Sequence, residues 1–194
     1  VELGLVDHAQ GENERAAKRF GKALDIDAHH APALLGMALI YEDQEQYDNC
    51  WKSYNAVIHN ASNRDGVILA YLRKGRVLDE RKERLDKAAE HYERARRLAD
   101  DLGLSQRAAQ LRADIGTVRL QEGRHDEARE HYQAAVEALD PRFAPVALGL
   151  AEGNLAILEQ EQGALERAAE LLARGMGRLR SVGHRLYVAH LGVY

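Results

Sequence analysis

Cysteine is nearly absent from this 194-residue chain: Cys50 stands alone, so no internal disulfide can form. The fold is therefore held without the covalent staples of small secreted domains, as suits a reducing compartment. Proline occurs 3 times and aromatic residues make up 6%; both scarcities favour helices over strand-rich folds. No apolar run approaches the roughly 18–20 residues that a bilayer span requires. The opening stretch, VELGLVDHAQ, has neither the basic start nor the apolar centre of a secretory leader. A cationic excess is missing too: 27 Lys and Arg against 31 Asp and Glu leave a net charge of -4. Without a basic stripe, phosphate-backbone binding lacks its electrostatic footprint. The expectation is a cytoplasmic chain with neither nucleic acid nor membrane as partner.

Catalytic signatures are missing as well. The chain contains no HExxH, no paired CxxC, no GxxxxGK[ST] and no GxSxG. We expect no enzyme, no cofactor and no metal site. The 9 histidines do not change that expectation. His91 and His131 each sit in a Glu-His-Tyr run, a shared context that duplication explains. His29-His30 falls where a solvated turn is expected. His125 and His131, six residues apart, do not face one way on a helix. Cys50 reads as a small core residue rather than a redox centre. Trp51 reads as a residue of the back face or of a neighbouring contact. The run RKERLDK is interleaved with acids and reads as a solvated helix end.

What the chain does have is a register. Ala16, Cys50, Ala88, Ala128 and Ala168 recur at spacings of 34, 38, 40 and 40. Four residues after each stands a bulky side chain: Phe20, Tyr54, Tyr92, Tyr132 and Leu172. Seven after each stands a compact one: Ala23, Val57, Ala95, Ala135 and Gly175. Two before each stands an acid: Glu14, Asp48, Asp86, Asp126 and Glu166. The i, i+4, i+7 spacing puts the first three on one helix face. The acid falls in the first helical turn, where it offsets exposed N–H groups and the dipole. Gly11, Gly123 and Gly163 lie five residues ahead of their small residues, where a left-handed helix end is wanted. Glu45 and Glu83 take that place in the other two units, so those turns are expected to be less tight or the helix to run on further. Another small residue lies 12 positions before the anchor (Gly4, Ala38, Gly116, Ala156); Gly75 lies 13 before, implying a one-residue insertion in ERKER. Each unit is thus two antiparallel helices. Segments such as HNASNRDG and ADDLGLSQ should lengthen the helices or the loops between pairs.

Self-similarity at such a period marks a solenoid, whose units bury their apolar faces only by stacking. The pattern resembles the tetratricopeptide repeat family, a 34-residue helix–turn–helix. In the second unit, Leu34 stands for the leading aromatic, Met37-Ala38 for Leu-Gly, Tyr41 for the tyrosine, Cys50 for the small residue and Tyr54 for the second aromatic. The fourth supplies Gly116, Gly123, Ala128, Tyr132, Ala135 and Pro141. The leading aromatic is usually missing, and the later units are longer than the family's, like the 40-residue variants of polarity adaptors and large bacterial regulators. The resemblance implies an all-α, right-handed superhelical solenoid of antiparallel helix pairs. It would be one domain over 1–194, with repeats near 1–30, 31–64, 65–102, 103–141 and 142–182 and a partial sixth over 183–194. The tail HRLYVAHLGVY reads as a further first helix, with Gly192 at the small position and Leu186, Val188, Leu191 and Val193 apolar. This suggests an excerpt of a longer array, or a tail that packs against another molecule and allows self-association.

Such proteins bind extended peptides or short helices in a groove lined by their first helices, and they act as adaptors. Carried onto this chain, the groove positions are Leu35, Leu39, Glu42 and Asp43 in the second unit, and Leu69, Leu72, Arg76, Asp79 and Glu80 in the third. The fourth gives Ala113, Thr117, Leu120 and Gln121; the fifth gives Gly153, Ile157, Gln160 and Glu161. Leucines on an open face would suit a protein segment with apolar anchors and some basic residues. The same leucines could instead pack between neighbouring first helices. Of the polar clamp that some relatives use on a terminal carboxylate, only Arg73 survives, so capture of an acidic tail is not expected. The other expectation of function is a sensor segment of a larger bacterial signalling ATPase or transcription regulator.

Overall fold

In the computed structural model, which describes residues 1–60, 64–81 and 84–183, every regular element is helical. Backbone packing divides the chain into two units, Val1–Arg84 and Leu85–Tyr194. The first holds α1 (Glu2–Ala9), α2 (Asn13–Ile26), α3 (Ala31–Asp43), α4 (Tyr47–Asn60) and α5 (Arg64–Arg81). The second holds α6 (Leu85–Asp101), α7 (Ser105–Gln121), α8 (His125–Ala138), α9 (Pro145–Glu161) and α10 (Leu165–Ser181). Within each unit, consecutive helices pack on one another, and first helices also touch: α1 and α5 on α3, and α9 on α7.

The five acids of the register each occupy the second residue of an even-numbered helix, in its first turn. The turns that precede these helices show why the pairs close tightly. Gly11, Gly123 and Gly163 have φ of 77°, 74° and 81°. In each, the amide of the residue after the glycine bonds back five positions, as in Glu12 N–H to Asp7 O (2.8 Å) and Arg124 N–H to Arg119 O (2.8 Å). The expectation of a looser turn at Glu45 is corrected: Glu45 itself adopts φ 56° and Gln46 N–H reaches Tyr41 O at 2.8 Å. The hydrogen-bonded closure evidently outweighs the left-handed penalty of a Cβ, which is about 1–2 kcal/mol. Glu45 is exposed to solvent. Glu45→Gly is therefore expected to raise the stability of the first unit by about 0.5–1 kcal/mol. A lower urea midpoint for this variant would contradict that reading of the turn. Glu83, and the insertion expected in ERKER, involve residues outside those described.

Longer repeats are made mainly by longer helices, with a longer connection over residues 139–144 after α8, which keeps 14 residues. α2 and α4 have 14 residues, whereas α6, α7, α9 and α10 have 17 and α5 has 18. In ADDLGLSQ the helix runs to Asp101, leaving only Leu102, Gly103 and Leu104 to connect. HNASNRDG includes residues 61–63, which lie outside the described residues.

The anchors form the core. Ala16, Cys50, Ala88 and Ala128 are 0% exposed, as are Phe20, Tyr54 and Tyr132. Phe20 lies between two glycines: a Cβ on Gly4 would stand 2.7 Å from its ring, and one on Gly36 2.4 Å. The fifth pair departs from the register. Leu172 is only half-buried, and Leu171, Gly175 and Leu179 form the buried stripe instead. The cause is a close helix crossing, because a Cβ on Gly175 would stand 2.7 Å from the Gly149 carbonyl oxygen and 3.3 Å from Gly153 N. At this crossing Leu172 stays at the edge, packed against the core cluster while remaining half-buried.

Buried carboxylates are a second feature of the packing. Asp7, in α1, receives Arg19 Nε of α2 at 2.5 Å. Glu152, 1% exposed, is held between Arg174 Nε (3.2 Å) and Arg178 Nε (2.9 Å) of α10. Glu159, 4% exposed, faces Arg129 of α8 and Arg167 of α10, each at 3.8 Å. Asp7, Arg119 and Glu159 all stand where the second unit has Tyr41, three residues after the small position. Ion pairs thus replace an aromatic there in three of the pairs.

Candidate functional site

The positions expected to line a groove divide into those left open and those used by the fold. Leu35 and Leu39 on α3, and Leu69 and Leu72 on α5, are all half-buried, and these two helices touch. Leu35 also packs against the core cluster around Tyr54. Beside them the α3 carboxylates tie helices together. Glu42 accepts a hydrogen bond from the Tyr54 hydroxyl of α4 and lies 3.8 Å from Arg73 of α5. Burial pushes the Glu42 carboxyl above its ordinary range, against the pull of the Tyr54 hydrogen bond and Arg73. Asp43 is exposed, with His8 Nε2 of α1 at 2.9 Å and Asn13 of α2 at 3.4 Å. Arg76 and Glu80 form an exposed i,i+4 pair at 2.8 Å, with Asp79 half-buried between them in sequence. Arg73 faces Glu42 rather than an open clamp.

In the second unit most of the expected positions are occupied by neighbours. Asn154 of α9 donates to the Tyr132 hydroxyl oxygen at 3.0 Å, Tyr132 donates to Thr117 at 3.0 Å, and Thr117 donates to the Ala113 carbonyl at 3.2 Å. This chain of bonds links three successive helices and satisfies the polar tip of the buried tyrosine. Ala113 and Leu120 pack against the same core cluster. Gly153 is buried, its backbone against Gly175, and so lies between the two helices of its pair. Gln121 and Gln160 are exposed, Glu161 faces His125 at 2.9 Å, and Ile157 is half-buried beside an open apolar cleft that it shares with Leu165, Ala169 and Leu172 of α10. Asn154 went unremarked in the sequence, although its place one turn from Ile157 on the same helix was available as a signal.

Chemistry is sparse elsewhere. Burial, with Glu42 nearby, pushes the Cys50 thiol up to about 12, the state of an inert core residue. Trp51 is half-buried and carries Lys74 over its ring at 5.2 Å, within the first unit. His131 is half-buried, and desolvation lowers its proton affinity. Among the described residues no three His, Cys, Asp or Glu side chains group as metal ligands. No described helix is long and apolar enough to cross a membrane.

Residues 65–140 match the tetratricopeptide repeat family model. No curated protein matches the sequence significantly. Among solved structures, PilF of Pseudomonas aeruginosa is similar with a TM-score of 0.72 and 21% identity, over 99% of this chain and 86% of that one. MamA is similar with a TM-score of 0.69 and 17% identity, over 95% of this chain and 98% of its own. YrrB, described as a TPR protein with an unusual peptide-binding site, has a TM-score of 0.62 and 22% identity, over 98% and 90%. These likenesses concern the fold.

Proposed function

We propose that this chain, whose residues 65–140 match the tetratricopeptide repeat family, is a protein-interaction scaffold that binds an amphipathic segment of a partner protein on the first helices of the first unit. One observation carries the reading: Leu35, Leu39, Leu69 and Leu72 sit half-buried on two touching helices whose fully buried positions are already filled. Aliphatic side chains left partly in water on adjacent helices suit a partner's apolar anchors. Basic residues added to those anchors would meet Asp43 and Glu80, exposed at the ends of α3 and α5, although each already faces one basic side chain. The second unit contributes less, because Thr117, Ala113 and Gly153 are engaged internally. YrrB, whose description names a peptide-binding site, has a similar fold and lends the reading support by analogy. No chemistry is assigned to the chain itself.

The test uses peptides selected from a displayed library of leucine-anchored basic helices, with binding read by fluorescence anisotropy. Leu39→Glu and Leu72→Glu are each expected to weaken a selected peptide about thirtyfold or more, roughly 2 kcal/mol, with helicity by circular dichroism unchanged. Wild-type affinity in both variants would remove this face from consideration.

A further inference from the structure

Glu42 continues the row of leucines on α3. Leu35, Leu39 and Glu42 are spaced i, i+4 and i+7 and so share one face of the helix. The carboxylate is half-buried, with 17% of the side chain left in water. Its Oε1 accepts the hydrogen bond from the Tyr54 hydroxyl of α4. Its Oε2 has Arg73 Nη1 of α5 at 3.8 Å, too long for a hydrogen bond. The nearby carboxylates are closed more tightly: Asp43 has His8 Nε2 at 2.9 Å, and Glu80 has Arg76 Nε at 2.8 Å. The tyrosine does not account for the charge on Glu42. Tyr132 holds in the fourth pair the place of Tyr54 in the second, and its hydroxyl is satisfied by Thr117 and Asn154, each at 3.0 Å. Four residues after the small position, where Glu42 stands, the fourth and fifth pairs have Leu120 and Gln160. A neutral residue serves the fold at both places.

We propose that Glu42 selects the partner: a lysine or arginine of the bound segment, set beside its leucine anchors, places its cationic head on Glu42 Oε2. The role presupposes a partner seated on Leu39 and Leu72, as proposed above. Two observations support it besides the geometry. Burial outweighs the Tyr54 hydrogen bond and the attraction of Arg73 and Arg76, and with Glu80 adding to the rise it pushes the Glu42 carboxyl above its ordinary range. The charged form is therefore not fully compensated within the chain, and one more cation would supply what is missing. The surroundings are also acidic, since Glu42, Asp43, Asp79 and Glu80 stand against Arg73 and Arg76, with His8 beside Asp43. The aliphatic stem of the incoming side chain covers Leu39, one turn back along α3, while its head reaches the carboxylate. Charge complementarity of this kind sets which partner binds more than how tightly leucines alone would hold it.

The probe is a peptide selected on the full wild-type chain from the leucine-anchored library, together with synthetic copies in which one basic residue at a time becomes norleucine. Norleucine keeps the stem and removes the charge. At one position the change is expected to weaken binding to wild type about tenfold, but binding to Glu42→Gln less than about twofold. Glutamine keeps an acceptor for Tyr54, and circular dichroism checks that helicity is unchanged. Glu80→Gln is the control, because it removes the same charge from a side chain already held by Arg76. With it the norleucine change should still cost about tenfold. Equal norleucine losses in wild type and Glu42→Gln at every position, for a peptide that Leu39→Glu no longer binds, would overturn the role of Glu42 and leave the leucine face standing. Loss of the discrimination in Glu80→Gln as well would also overturn it, because net charge rather than contact would then be read. A peptide that binds Leu39→Glu as tightly as wild type would overturn both the face and the role.

Discussion

Replacing Gly36 by alanine is expected to lower the stability of the first unit by about 2–3 kcal/mol, the upper part of the range for overpacking a filled core. The added Cβ would stand 2.4 Å from the tip of the Phe20 ring and 2.6 Å from both adjacent ring carbons. The ring has nowhere to go. Phe20 is 0% exposed, and on its other side Gly4 leaves no room, since a Cβ there would already lie at 2.7 Å. Two glycines on two first helices thus accommodate one aromatic from the second helix between them. The cause can be separated from helix propensity by a second substitution. In an exposed helix, Gly→Ala stabilises by about 0.5–1 kcal/mol. Phe20→Leu alone should cost about 1–2 kcal/mol through lost packing. The pair Gly36→Ala with Phe20→Leu should be clearly more stable than the sum of the two losses, a coupling of at least about 1 kcal/mol. Urea midpoints of the four proteins measure this directly. Additive losses would mean that the glycine is not there for the ring.

The sequence already carried that arrangement in outline, because Gly4 and Phe20 were both register positions. Gly36 was not, since it falls two residues before the small position of its own unit and serves the neighbouring one. This is the general limit of reading repeats by register. Positions that serve their own pair recur and are legible: the acids, the small anchors, the tyrosines and the glycine turns all stand where expected. Positions that serve the neighbouring pair vary with the neighbour. Asn154 matters because Tyr132 precedes it, and Gly149 matters because the Gly175 backbone and Leu179 press against it. Glu45 shows another limit: the turn is dictated by the helices it joins, so a residue with poor intrinsic preference adopts it all the same. For the site, register separates first-helix from second-helix faces and so isolates Leu39 and Leu72. It cannot tell that Thr117 is spent on a hydrogen-bond chain, because that depends on a hydroxyl fifteen residues away and an amide on the next helix.

The ion pairs were the least legible feature, and they carry the other large expected effect. The double variant Arg174→Ala with Arg178→Ala should cost the second unit about 3–5 kcal/mol, the penalty for stranding a buried charge. Glu152 is 1% exposed, and both arginines reach it from successive turns of α10, at 3.2 Å and 2.9 Å. Either alone leaves a partner in place, so each single variant should cost about 1 kcal/mol or less. The arginines themselves are 53% and 30% exposed. Their charges can therefore return to water when the carboxylate is removed, which makes the opposite truncation cheaper. The decisive protein is the triple variant, in which Glu152→Leu is added to the two alanines. A hydrophobic side chain of similar volume next to Gly175 removes the stranded charge and restores apolar packing, so most of the lost stability should return. Denaturant midpoints within about 1 kcal/mol of wild type for the double arginine variant would refute the reading. They would mean that water reaches Glu152 and that the crossing of α9 and α10 rests on its glycines alone.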